Sequence, residues 1–125
     1  MQEFTRHCLE LLAPLGATRS RRMFGGVGLH VDDIFIALID EEQLYLKADE
    51  QTRPRFEAAG AGQPFCFPKD GELIATSYLR PPEEAMESPA LMLPWARLAM
   101  EAALRKRTAA KPAKRPGTKT VRKPT

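Results

Sequence analysis

Arg19 to Ala48 reads RSRRMFGGVGLHVDDIFIALIDEEQLYLKA, and the spacing of its apolar residues decides the fold. Val27, Leu29 and Val31 alternate with Gly28 and His30. The pattern stops at Asp32-Asp33, and Ile34 to Ile39 then runs without a polar side chain. After Glu41-Glu42 the apolar positions resume at Leu44, Tyr45 and Leu46. Alternation between acidic turn residues predicts consecutive antiparallel strands at roughly 19–24, 27–31, 34–40 and 43–48. The all-apolar run is expected to be the central strand, covered on both faces. Gly25-Gly26 falls between the first two strands, where a bulge or tight turn calls for positive φ.

Working outward, residues 2 to 13 form an amphipathic helix. Phe4, Cys8, Leu11 and Leu12 share one side, while Glu3, Arg6 and Glu10 share the other; Pro14 and Gly16 end it. Downstream, Pro54 fits the first turn of a short helix capped by Thr52. Phe56 and Ala59 are expected to face inward there, with Gly60 as the stop. Phe65-Cys66-Phe67, a turn at Lys69-Asp70-Gly71, and Glu72 to Tyr78 predict a second hairpin. Ser88-Pro89 suits the N-cap and first position of a last helix that runs to about Arg107, with Pro94 marking its true first turn or a kink. Trp95, Leu98, Ala99 and Ala102 lie on its apolar side; Arg97, Glu101 and Arg105 follow at i, i+4 on the polar side.

The 125 residues suit one domain with a genuine core. No run of apolar residues is long enough to span a membrane, and the N-terminus lacks the charged start and apolar stretch of a signal peptide, so a cytoplasmic location is expected. Cys8 and Cys66 form no CxxC or paired framework, which predicts two buried, reduced thiols. The net charge of +3 conceals a division. Residues 105–125 hold nine of the nineteen bases and no acid, leaving ten bases against sixteen acids in residues 1–104. The body is thus −6 and the C-terminal segment +9. From Thr108 the sequence has one branched aliphatic residue and no aromatic, too little apolar surface to order a chain. The expectation is an α+β domain over residues 1–107, followed by a disordered Lys/Arg/Pro-rich tail over 108–125. The domain is read as two layers, an antiparallel sheet of about five to six strands covered by the N- and C-terminal helices.

Arg22-Met23-Phe24-Gly25-Gly26-Val27-Gly28-Leu29, Phe35 to Ile39, Leu44-Tyr45-Leu46-Lys47-Ala48-Asp49, Phe56-Glu57-Ala58-Ala59-Gly60 and Trp95-Ala96-Arg97 occur in that order. This set resembles the N-terminal domain of the TfoX/Sxy competence regulators over about residues 4 to 104. The resemblance implies a two-layer α+β domain with an antiparallel sheet, a regulatory and non-enzymatic role in expression of DNA-uptake genes, and action with the cyclic-AMP receptor protein or other transcription machinery. Asp33 and Glu42 stand where that family usually has turn glycines, at a local cost in turn stability. The longer regulators carry a second, helical C-terminal domain, whose place the basic tail is expected to take here.

The residues themselves point away from catalysis. Gly25-Gly26-Val27-Gly28 lacks the Lys-Ser/Thr of a P-loop and precedes a strand, so backbone geometry explains it better than phosphate binding. Asp32, Asp33, Asp40, Glu41 and Glu42 lack EF-hand spacing and read as solvated turns. His7 and His30 have no second ligand at metal spacing, and adjacent helical positions keep His7 from activating Cys8. Tyr45 and Tyr78 fit either a groove or ordinary packing. No catalytic residue, metal or cofactor is expected. Arg19, Arg21 and Arg22 form a candidate partner-binding edge, Arg19 and Arg21 on one face and Arg22 on the other. Arg105, Lys106, Arg107, Lys111, Lys114, Arg115, Lys119, Arg122 and Lys123 are the candidate nucleic-acid contacts, non-specific because no aromatic accompanies them. A body that docks a protein, as monomer or homodimer, with a tail that holds nucleic acid is the resulting expectation. The alternative is a small interaction or chaperone-like module with no role in transcription.

Overall fold

The computed structural model describes residues 2–23 and 25–114, with side chains described from Glu3 to Thr108 within them. Helix α1 (Gln2–Leu12) passes through a 3-10 turn into β1 (Thr18–Met23), β2 (Gly26–Val31), β3 (Ile34–Asp40) and β4 (Gln43–Lys47). Helix α2 (Arg53–Ala58), strands β5 (Pro64–Lys69) and β6 (Glu72–Leu79), a second 3-10 turn (Glu83–Glu87) and helix α3 (Pro89–Lys114) follow. The six strands form one antiparallel sheet in the order β1-β2-β3-β4-β6-β5.

Both long helices cover one face of this sheet. Leu29, Ala37, Leu46 and Leu79 stand opposite one another across β2, β3, β4 and β6 and are fully buried there. Cys8, Leu11 and Leu12 of α1 and Met92, Ala96 and Ala99 of α3 complete the core. A register shift between Leu29 and His30 sets an extra residue of β3 against β2, which is how both Ile36 and Ala37 come to be buried.

The expectation that β3 is covered on both faces needs correction. Its outward residues Phe35 and Leu38 are only half-buried, because both layers of helix lie on the opposite side. Their apolar character is met instead by neighbours within the sheet: His30 stacks on Phe35 at 5.2 Å, and Phe35 meets Tyr78 at 5.5 Å.

Two-residue turns at Asp32-Asp33 and Glu41-Glu42 join the strands, with φ values of 51°, 66°, 50° and 59°. All four residues sit in the left-handed region that glycine and asparagine tolerate best. Gly25 has φ of 81°, whereas Gly26 is required by proximity: a Cβ there would lie 2.5 Å from the carbonyl oxygen of Ile39.

The β5–β6 hairpin joins the sheet only at its base, through Leu46 with Leu79, Lys47 with Tyr78, and Ala48 N–H to the Ser77 carbonyl. Beyond that it projects as an arm with Phe67, Leu73 and Ile74 exposed. Cys66 lies on this arm and is exposed, so one of the two thiols expected to be buried is not. Cys8 is buried as expected, and burial pushes its thiol pKa up to about 12.

Ser88 Oγ accepts from Leu91 N–H, capping α3 as its sequence suggested. The helix continues to Lys114, seven residues past the expected end at Arg107. Residues 115–125, on which most of the expected tail falls, lie outside the described residues. Among the described residues, no helix is long and apolar enough to cross a membrane.

Candidate functional site

Arg19, Arg21 and Arg22 are all exposed on β1, an edge strand. Pairing sets Arg19 opposite His30 and Arg21 opposite Gly28, on the face away from the helices. Arg22, opposite Val27, points to the other face. The split matches the alternation of a strand. Arg19 also pairs with Asp33 at 3.1 Å, an exposed contact worth at most about 1 kcal/mol.

Arg105, Lys106 and Arg107 lie in α3 and share clefts with Lys47 of β4 and Ser77 and Tyr78 of β6. Lys111 and Lys114 follow in its backbone, but their side chains, like Arg115, Lys119, Arg122 and Lys123, fall outside the described residues. Arg105 feels the charge of Glu101 one turn back on its own helix, but its hydrogen bonds go to Asp49, Nε to Oδ2 at 2.7 Å and Nη2 to Oδ1 at 3.0 Å. This fork-to-carboxylate geometry is the strongest common form of ion pair.

Asp49 has a second task. Its Oδ1 accepts from the N–H groups of Gln51 and Thr52, the donors left open where α2 begins. Thr52 was expected to cap α2, but its hydroxyl makes no cap bond to the helix and accepts from Asp49 N–H instead. Ala59, expected inside, is exposed; Phe56 alone anchors α2. The Arg105 bonds, followed by those backbone donors, hold the Asp49 carboxyl down at about 2 from 3.8. A carboxyl depressed on folding stabilises the fold above its unfolded pKa, and that contribution fades as pH falls from about 4 toward 2. Asp49→Ala should cost about 1–2 kcal/mol through the lost cap. It should also flatten this acid limb in a series of melts between those pH values.

Lys47 is a candidate side chain that sequence reading passed over. It sits on the outward face of β4, yet is only 7% exposed. Its Nζ donates to Ser77 Oγ at 2.8 Å and lies 5.0 Å from the centre of the Tyr78 ring. Burial first, and then the neighbouring charge of Lys106, pulls its pKa below the usual lysine value. The one available signal was a charged residue inside the otherwise apolar run Leu44 to Ala48.

The outer face around Lys47 is aromatic. Tyr45 meets Phe65 at 5.3 Å, and Arg80 lies over the Tyr45 ring at 5.6 Å. Burial raises the Tyr78 hydroxyl to about 12, so it stays protonated. His30 keeps a buried Nδ1 with no hydrogen-bond partner. Burial, then Arg19 and Arg21, lower its pKa and keep the ring neutral at pH 7. A large open cleft of about 790 Å³ lies elsewhere, bordered by Glu42, Glu83, Glu84 and Glu87 with His7 and Arg80. His7 Nε2 there donates to the Met86 carbonyl at 2.7 Å, a structural tie between α1 and the second 3-10 turn. Among the described residues, no three His, Cys, Asp or Glu side chains gather as metal ligands would.

The geometry explains the residues on which the family resemblance rested. Gly25 lies in the β1–β2 turn and Gly26 opens β2, Lys47 ties β4 to β6 and Asp49 ties the start of α2 to α3, and Phe56 meets Trp95. Comparison with known proteins agrees. The chain is 29% identical over 101 residues to DNA transformation protein TfoX1 of Aliivibrio fischeri, covering 81% of this chain and 48% of that protein. It is 27% identical over 99 residues to Protein Sxy of Escherichia coli, covering 79% and 47%. The chain thus spans about half the length of the curated relatives it matches. The family model described as the TfoX N-terminal domain matches residues 10–103, from α1 into α3, and the chain belongs to that family.

Proposed function

We propose that this chain is a non-enzymatic regulatory protein of the competence-regulator kind. Its folded body docks a protein partner, and its basic C-terminal segment associates with nucleic acid without sequence preference. The observation that carries the reading is the charge division, −6 over residues 1–104 against +9 over 105–125. An acidic body is repelled by the polyanion its own C-terminus attracts, which leaves the body for a polypeptide. The exposed Phe67, Leu73 and Ile74 on the projecting arm support this, since exposed apolar side chains clustered on one element suit a protein contact. One relative is named for DNA transformation, which supports a role in competence, and by family resemblance that role is regulatory, with the cyclic-AMP receptor protein or other transcription machinery as the partner.

The test keeps the chain at full length. Lys111, Lys114, Arg115, Lys119, Arg122 and Lys123 are changed together to glutamine, which retains helix-forming residues where α3 ends. If six phosphates are neutralised in the native protein, log affinity for duplex DNA should fall with log salt at a slope of about −5. The variant should melt as the native protein does and lose most of that slope. Equal salt-sensitive retention by both proteins would reject the assignment. Affinity purification with nuclease added then asks whether transcription machinery is held by the body itself.

A further inference from the structure

Lys47 and Lys106 present a charge problem that the described protein solves only in part. Lys47 is more than nine-tenths buried, and its amine has a neutral hydroxyl, Ser77 Oγ, as its hydrogen-bond acceptor. Lys106 of α3 lies close enough to lower its pKa by charge. Asp49, whose charge offsets part of this, is bound by Arg105; Asp33 pairs with Arg19, and Glu50 borders the same junction. Two ammonium groups side by side in a partly desolvated setting are costly unless an anion joins them.

Space for that anion exists on both sides. One open cleft of about 390 Å³ is lined by Lys47, Ser77, Lys106, Arg53 and Arg105, with Asp49 and Glu50. Another of about 350 Å³ is lined by Lys47, Tyr78, Lys106 and Arg107, with Asp33. Both lysines border each cleft, and bases outnumber carboxylates in both. Ser77 Oγ uses a lone pair to accept from Lys47, which leaves its own proton to donate to a ligand.

We propose that Lys47, Lys106 and Ser77 form a binding site for a phosphate group at the junction of β4, β6 and α3. A carboxylate would neutralise one of the two ammoniums; a phosphate carries nearly two charges and enough acceptor oxygens for both amines and the hydroxyl. Arg53 in one cleft and Arg107 in the other add attraction for an incoming anion. The site is independent of the C-terminal charges assigned above, and its failure would leave that reading intact. A free phosphate or monoester supplies that anionic charge on one group, and a nucleic-acid backbone supplies it through two neighbouring diesters of one charge each.

The experiment reads each lysine separately, so that the C-terminal bases do not obscure the result. Full-length protein is labelled with ¹³C and ¹⁵N in its seven lysines and titrated with sodium phosphate, against sodium chloride at matched ionic strength. Adenosine monophosphate and an oligothymidylate are further arms. Saturable movement of the Lys47 and Lys106 side-chain signals is expected with phosphate and not with chloride. Lys106→Met and Ser77→Ala should each weaken it by about tenfold, the loss of one charge-assisted hydrogen bond. Lys106 is exposed, so its variant should fold normally, and an unchanged melt confirms that. Equal saturation by phosphate and the mononucleotide assigns the site to free esters; saturation by the oligonucleotide alone assigns it to a backbone. Lys47 signals that stay still in every arm, or that move equally with chloride, overturn the proposal.

Discussion

Phe56→Ala is expected to lower the unfolding free energy by about 3–5 kcal/mol, the usual cost of removing a fully buried phenylalanine. Phe56 is 0% exposed and is the buried residue of α2. Its ring meets Trp95 of α3 at 5.1 Å, tilted by 54°. A helix of six residues has no stability of its own, because so short a segment cannot offset the cost of nucleation. Without Phe56, α2 loses its attachment to α3 and a cavity opens beside Trp95. Domains of this size are stable by only about 5–15 kcal/mol, so the variant should lie near its threshold at 37 °C. Urea unfolding followed by Trp95 fluorescence would measure the change. A loss below about 1 kcal/mol would show that α2 is not anchored through this ring.

Gly26→Ala should rank next, with a loss of about 2 kcal/mol. The added Cβ would fall 2.5 Å from the Ile39 carbonyl oxygen, which is backbone on an interior strand and cannot rotate away. Alanine would regain some chain entropy, roughly 0.5–1 kcal/mol, which is too little to offset a clash that moves a strand. Gly25 provides the contrast. A Cβ there meets nothing within 4 Å among the described residues, but its φ is 81°. Asparagine, which tolerates the left-handed region, should therefore be accepted at 25 and rejected at 26. Thermal melts of Gly25→Asn and Gly26→Asn that fall equally would contradict this division of roles.

These two glycines show how far sequence reading reached. The pair was read as backbone geometry rather than a phosphate loop, and the structure gives each member a distinct backbone reason. Turns at Asp32-Asp33 and Glu41-Glu42, the Ser88-Pro89 start of α3 and the Gly60 stop of α2 (φ of 74°) were also legible. Each depends on residues a few positions apart. The capping of α2 was misread because Thr52 and Asp49 are both good caps, and Arg105, 56 residues away, decides how the Asp49 carboxyl is oriented.

The candidate site was legible only in part. The charges of Arg105, Lys106 and Arg107 were plain, and so was the face that Arg19 and Arg21 share. Lys47 was not, because strand alternation assigns position 47 outward, where a lysine is ordinarily solvated. Cys66 was misplaced for the reverse reason: Phe65-Cys66-Phe67 looks like core, but its strand ends on an arm that no helix covers.

The order of apolar, acidic and glycine residues by itself determined the helices, strands and turns, and the charge count determined an acidic body with a basic end. Period and turn chemistry act over a few residues, so they survive in one dimension. Tertiary structure alone decided that β6 lies between β4 and β5, that one face of the sheet stays open, and that Lys47 is buried beside Lys106. Those outcomes follow from contacts between segments 30 to 60 residues apart, where burial of the shared core selects the pairing and no local pattern records it.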